Sequence, residues 1–178
     1  MFRGRTNRLA ATAFLLAVPL FAEAATVYET QSEFLTRAFD GPPPEPAVAW
    51  LSGDLKAGVR QLLGHDYPAL RLRYWCEDQR SAWVLEEIGK DLPITVGVVV
   101  EQDRIDSLRV LTYRENRGGE VSRPVFSNQF TGRSLDESGT LDRPIDSITG
   151  ATLSVQALTR IARMALFLDA NVGCGHDT

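Results

Sequence analysis

Asp146-Ser147-Ile148-Thr149-Gly150-Ala151-Thr152 brings a carboxylate, hydroxyls, a glycine and an alanine together just ahead of an amphipathic stretch. The first-turn N–H groups of a helix lack intrahelical partners and carry partial positive charge, so a helix start suits a phosphate. Gly150 has no Cβ and lets a bulky ligand approach the backbone, and Ala151 is small for the same reason. Thr152 offers a hydroxyl where that phosphate would sit. Thr149 either caps the helix or touches the phosphate. A plain loop and helix cap is the simpler alternative for Thr149 to Thr152 taken alone.

The elements that must hold this segment read as an α+β domain. The stretch from about Leu153 to Asn171 has Leu158, Ile161, Ala165 and Leu168 one turn apart, a stripe for packing on a sheet, with Gly173 as its stop. Leu70, Leu72, Tyr74 and Cys76 alternate with Arg71, Arg73 and Trp75, which is the period of a strand. Ala82 to Ile88, Thr95 to Glu101 and Asp106 to Arg114 read as further strands, with Val98-Val99-Val100 buried on both faces. Such a meander predicts an antiparallel sheet, packed by the C-terminal helix. Two short helices precede it. One spans Tyr28 to Phe39; the other runs from a Ser52 cap to about Leu63, with Gly64 as its stop. Gly41-Pro42-Pro43-Pro44-Glu45-Pro46 connects them as an extended spacer. Val125 to Phe130 reads as one helical turn, and Gly132 to Asp142 as a polar loop.

The motif, together with Glu115-Asn116-Arg117-Gly118-Gly119 and Phe126-xx-Gln129-Phe130-x-Gly132, resembles the FMN-binding domain family. Its members include the G subunit of the Rnf complex and the C subunit of the sodium-pumping NADH:quinone oxidoreductase. The resemblance runs from about Ile94 to Leu166. In that family a flavin transferase moves FMN from FAD onto the final hydroxyl of the motif, making a phosphoester. The resemblance therefore implies covalent FMN on Thr152, with Asp146, Ser147, Thr149, Gly150, Ala151 and Leu153 around the attachment. Asp146 would either help the transferase position a metal-bound FAD or brace the turn before the helix. Glu115, Arg117 and Gly118 would lie near the isoalloxazine ring, Arg117 stabilising charge that develops on reduction. A solvated surface pair is the competing reading of Glu115 and Arg117. Phe126, Gln129 and Phe130 read as packing residues, and Trp50, Trp75 and Trp83 as core aromatics.

Composition bounds the rest. A chain of 178 residues with 44% hydrophobic and 24% charged side chains is one ordinary globular domain. Arg3, Arg5 and Arg8 precede an apolar run from Leu9 to Phe21, and Ala22-Glu23-Ala24 suits signal cleavage after Ala24. Export to the periplasm is the expectation, and an uncleaved anchor in the inner membrane the alternative. The domains expected are a signal peptide over 1–24, N-terminal helices and connector over 25–66, and an FMN-binding domain over 67–178. Without 1–24 the chain holds 16 basic and 22 acidic side chains, which argues against nucleic acid. Cys76 and Cys174 either form one disulfide or stay as free thiols.

His65, beside Asp66 at a helix end, reads as a cap or surface group, and no metal-ligand spacing or catalytic constellation accompanies it. The sequence thus points to a redox carrier whose chemistry resides in its cofactor. Its expected partners are a flavin transferase, a membrane-associated donor and an extracytoplasmic acceptor, with peripheral membrane association open. An exported noncovalent binding or sensing module and a small flavin reductase are the alternatives.

Overall fold

The computed structural model describes residues 25–172 and 174. The segment read as a signal peptide and the helix stop at position 173 lie outside the described residues.

Six antiparallel strands form a single sheet in the order β1-β6-β5-β4-β3-β2. They are β1 (Thr26–Val27), β2 (Ala47–Trp50), β3 (Arg71–Glu77), β4 (Arg80–Ile88), β5 (Pro93–Glu101) and β6 (Arg104–Tyr113). The four strands expected from periodicity are its centre. The two outer strands, β1 on β6 and β2 on β3, were not legible: two or four residues are too few to show alternation. Gln102 and Asp103 both have positive φ (52° and 63°), making the two-residue turn whose twist suits a hairpin between β5 and β6.

Helices cover both faces. On one lies α1 (Gln31–Ala38), which puts Phe34, Leu35 and Ala38 on Trp75, Ala82, Val99 and Leu111. Its start is set by a capping box rather than by Tyr28: Thr30 accepts the Glu33 N–H, and the Glu33 carboxylate accepts the Thr30 N–H. Gly97 lies under Phe34, where a Cβ would come within 2.6 Å of the ring. On the other face lie α2 (Gly53–Leu63) and α4 (Thr152–Val172). Gly64 ends α2 at φ 82°, a left-handed position that suits glycine. Leu158, Ile161, Ala165 and Leu168 of α4 are fully buried, as their spacing predicts. Between β6 and α4 the chain forms a turn over Gly119–Ser122, a short α3 (Pro124–Ser127) and a further turn over Asn128–Phe130.

Trp75 and Trp83 are core residues, but Trp50 is 61% exposed, a correction to the sequence reading. It sits on the edge strand β2, opposite exposed Arg71, on the part of the face that α1 is too short to reach. Cys76 and Cys174 form a disulfide that ties the chain after α4 to β3, settling the pairing that the sequence left open.

Candidate functional site

The motif is a tight turn leading into α4. The Ala151 N–H donates to the Ile148 carbonyl (3.0 Å), with Thr149 and Gly150 at the corner. Gly150 has φ 84°, the left-handed value that a type II turn requires at its second corner. The Ala151 carbonyl then accepts the Val155 N–H (3.0 Å), which opens the helix. Thr152 is therefore the first helical residue and is exposed, while Ala151 beside it is buried. Thr149 is exposed at the turn and stands too early to be the residue that caps α4.

The turn after β6 is locked to this helix start. The buried Tyr113 hydroxyl donates to the Arg117 carbonyl, which leaves its oxygen to accept from the Ser154 hydroxyl, 2.9 Å away in the first turn of α4. Burial pushes the Tyr113 phenol up, opposed by the bond to Ser154. Gly118, at φ 87°, fits between them: a Cβ there would lie 2.7 Å from the Tyr113 oxygen, 2.9 Å from the Ser154 oxygen and 3.3 Å from the Ala151 Cβ.

Glu115 binds a second turn. Its Oε1 accepts the backbone N–H groups of Lys90 (2.6 Å), Asp91 (2.6 Å) and Leu92 (2.9 Å), which lie between β4 and β5. Partial burial pushes this carboxyl up, but the three N–H bonds and the Lys90 charge outweigh it and hold the group below its ordinary value. Gly89 makes room, since a Cβ there would come 3.0 Å from the same Glu115 oxygen. The two turns and the helix start enclose a cavity of about 350 Å³, lined by Lys90, Asp91, Glu115, Arg117 and Gly150 through Ser154. Its size falls within the range of about 300–1,000 Å³ usual for small-molecule sites.

Six residues singled out in the sequence thus meet around one cavity: Glu115, Arg117, Gly150, Ala151, Thr152 and Leu153. Gly118 lies behind its wall. Asp146, Ser147 and Thr149 do not line it. The Asp146 N–H is held by Gln129 (2.8 Å), and Asp146 borders a separate depression with Phe126, Gln129 and Ile148. Phe126 and Phe130 are buried and meet edge to face, so they pack the core. Lys90, Asp91 and Ser154 were missed. The Gly89-Lys90-Asp91 turn was legible only as a break between two strands, and its link to Glu115 spans more than twenty residues.

Away from the cavity, His65 Nε2 lies 2.9 Å from the buried Glu87 carboxylate, which Arg160 approaches at 3.4 Å. Among the described residues no cluster of His, Cys, Asp or Glu could hold a metal ion, and no helix is long and apolar enough to cross a membrane.

An exposed hydroxyl at a helix start, beside a small-molecule cavity with two cations in its lining, is an arrangement compatible with a phosphate-bearing ligand. Residues 89–166 match the model of the FMN-binding domain family. Among solved structures the chain is similar to the C subunit of the Na(+)-translocating NADH-quinone reductase from Parabacteroides distasonis. The identity is 20%, with 71% of this chain and 78% of that one covered and a TM-score of 0.42. No curated protein matches the chain.

Proposed function

We propose that this protein is a periplasmic electron-transfer flavoprotein carrying FMN as a phosphoester on Thr152. The observation that carries the reading is the position of Thr152: exposed, first in α4 and lining the cavity that Glu115, Arg117, Gly150 and Leu153 share. In the attachment step the Thr152 hydroxyl gives up its proton, Oγ1 bonds to the FMN phosphorus of FAD, and AMP leaves. The first-turn N–H groups of α4 favour the phosphate there, and Gly150 leaves the approach open, with no atom near the place of its missing Cβ.

FMN in this cavity supplies one- and two-electron redox chemistry. The chain's part is to hold it and set its surroundings. The ester retains the cofactor at high effective concentration outside the cytoplasm, where lost FMN is not readily replaced. Arg117, on the turn fixed by Tyr113, contributes positive charge to the cavity. The disulfide is in keeping with an oxidising compartment. On this reading a flavin transferase loads the protein, a membrane-associated reductase supplies its electrons and an extracytoplasmic redox protein accepts them.

Co-expression with a flavin transferase should add the mass of FMN less water and give flavin fluorescence that survives denaturation. Thr152→Ser should keep both, and Thr152→Ala should lose both. A wild-type chain of unmodified mass under those conditions overturns the proposal.

A further inference from the structure

Glu115 is a lining residue whose acceptor oxygen is already engaged. Three successive backbone N–H groups converge on Oε1, forming a small anion-binding nest that the carboxylate fills. The contact fastens the β4–β5 turn to the segment following β6, and with it the residue that opens the nest, Lys90. The titratable groups lining the cavity are Lys90, Asp91, Glu115 and Arg117. Oε1 of Glu115 is turned into the nest. The Lys90 ammonium pairs loosely with Asp91 at 3.4 Å, and the two side chains are 72% and 68% exposed. Such a pair is screened and gives way readily to a stronger counter-charge.

We infer that Glu115 is a positioning residue that holds Lys90 at the Thr152 cavity, where the Lys90 ammonium joins Arg117 in stabilising the reduced, anionic form of a flavin bound there. This rests on the function proposed above. Uptake of two electrons and one proton from an external donor leaves one additional negative charge on the flavin ring, and a cation at the cavity favours that state. Glu115 works through the backbone of Lys90 and touches no reacting atom. Asp91 opposes the effect by competing for the same ammonium.

The test uses the full chain co-expressed with a flavin transferase, with FMN loading confirmed by mass, and titrates the flavin with dithionite against an indicator dye. Lys90→Gln should weaken stabilisation of the reduced form about tenfold, which for two electrons lowers the midpoint by about 30 mV. Glu115→Ala, which removes the acceptor from the nest, should shift it in the same direction and add nothing once Lys90 is gone; Asp91→Asn should shift it the other way. A loaded Lys90→Gln protein at the wild-type potential overturns the inference. So does a Glu115→Ala shift that persists without Lys90, because a direct effect on the flavin would survive that change. A second arm needs no flavin: in the Thr152→Ala chain, Glu115→Ala, which removes the acceptor, should lose protection against hydrogen exchange at Lys90, Asp91 and Leu92. Unchanged protection overturns the positioning role. Failure of the wild-type chain to load FMN counts against the proposed function, and the exchange arm still decides whether Glu115 holds the turn.

Discussion

Gly118 is where the turn after β6 meets the first turn of α4, and both its φ and its surroundings call for glycine. Gly118→Ala would place a methyl group against Tyr113, Ser154 and Ala151 while keeping a left-handed backbone. We expect a loss of about 2 kcal/mol or more in urea unfolding; a variant as stable as wild type would show that the turn can move away. The tryptophans give a contrast of the same kind. Trp83 is fully buried, stacks on Tyr74 and donates to Ser81, so Trp83→Ala should cost about 3–5 kcal/mol. Trp50→Ala, on the exposed edge, should stay within about 0.5 kcal/mol. Denaturant midpoints of the two variants check this, and equal losses would mean that Trp50 is covered in solution.

At the scale of elements, the chain just after α2 meets β4 and α4 at His65, Glu87 and Arg160. The imidazole is raised above its ordinary value by its bond to Glu87 and then by the carbonyl of Asp66, since a protonated ring donates to both. A raised folded-state value means that this contribution is complete below the unfolded value of about 6.5 and is lost as pH rises through the folded one. His65 is partly exposed, so the contribution is under about 1 kcal/mol. The stability deficit of His65→Gln relative to wild type should therefore be largest near pH 6 and shrink towards pH 8. A deficit independent of pH would assign His65 to packing alone. Proximity to Asp66 marked His65 as a helix-end group, but Glu87 is twenty-two positions away, and only the tertiary fold brings the end of α2 to β4.

At the scale of the molecule, helices on both faces of the sheet leave β2 as a lightly covered edge, and the disulfide fastens the chain after α4 to β3. It closes a separation of 98 residues, for which the chain-entropy model gives up to about 4–5 kcal/mol. Paired unfolding curves with and without reductant, and for Cys76→Ser with Cys174→Ser, should show a deficit of that order. Coincident curves would mean that packing alone holds the end of α4.

The four central strands, the apolar stripe of α4 and the residues of the Asp146 to Thr152 motif were determined by the sequence, because period, small side chains and hydroxyl spacing are local properties. The FMN-binding resemblance rested on that local pattern and holds over residues 89–166. Tertiary structure alone decided that Asp146 lies apart from the Thr152 cavity, that Lys90 lines it, that Glu115 engages another turn and that Trp50 stays outside the core. Each of these depends on which distant backbone N–H or apolar face a side chain meets once the sheet has closed, and no spacing along the chain encodes that meeting.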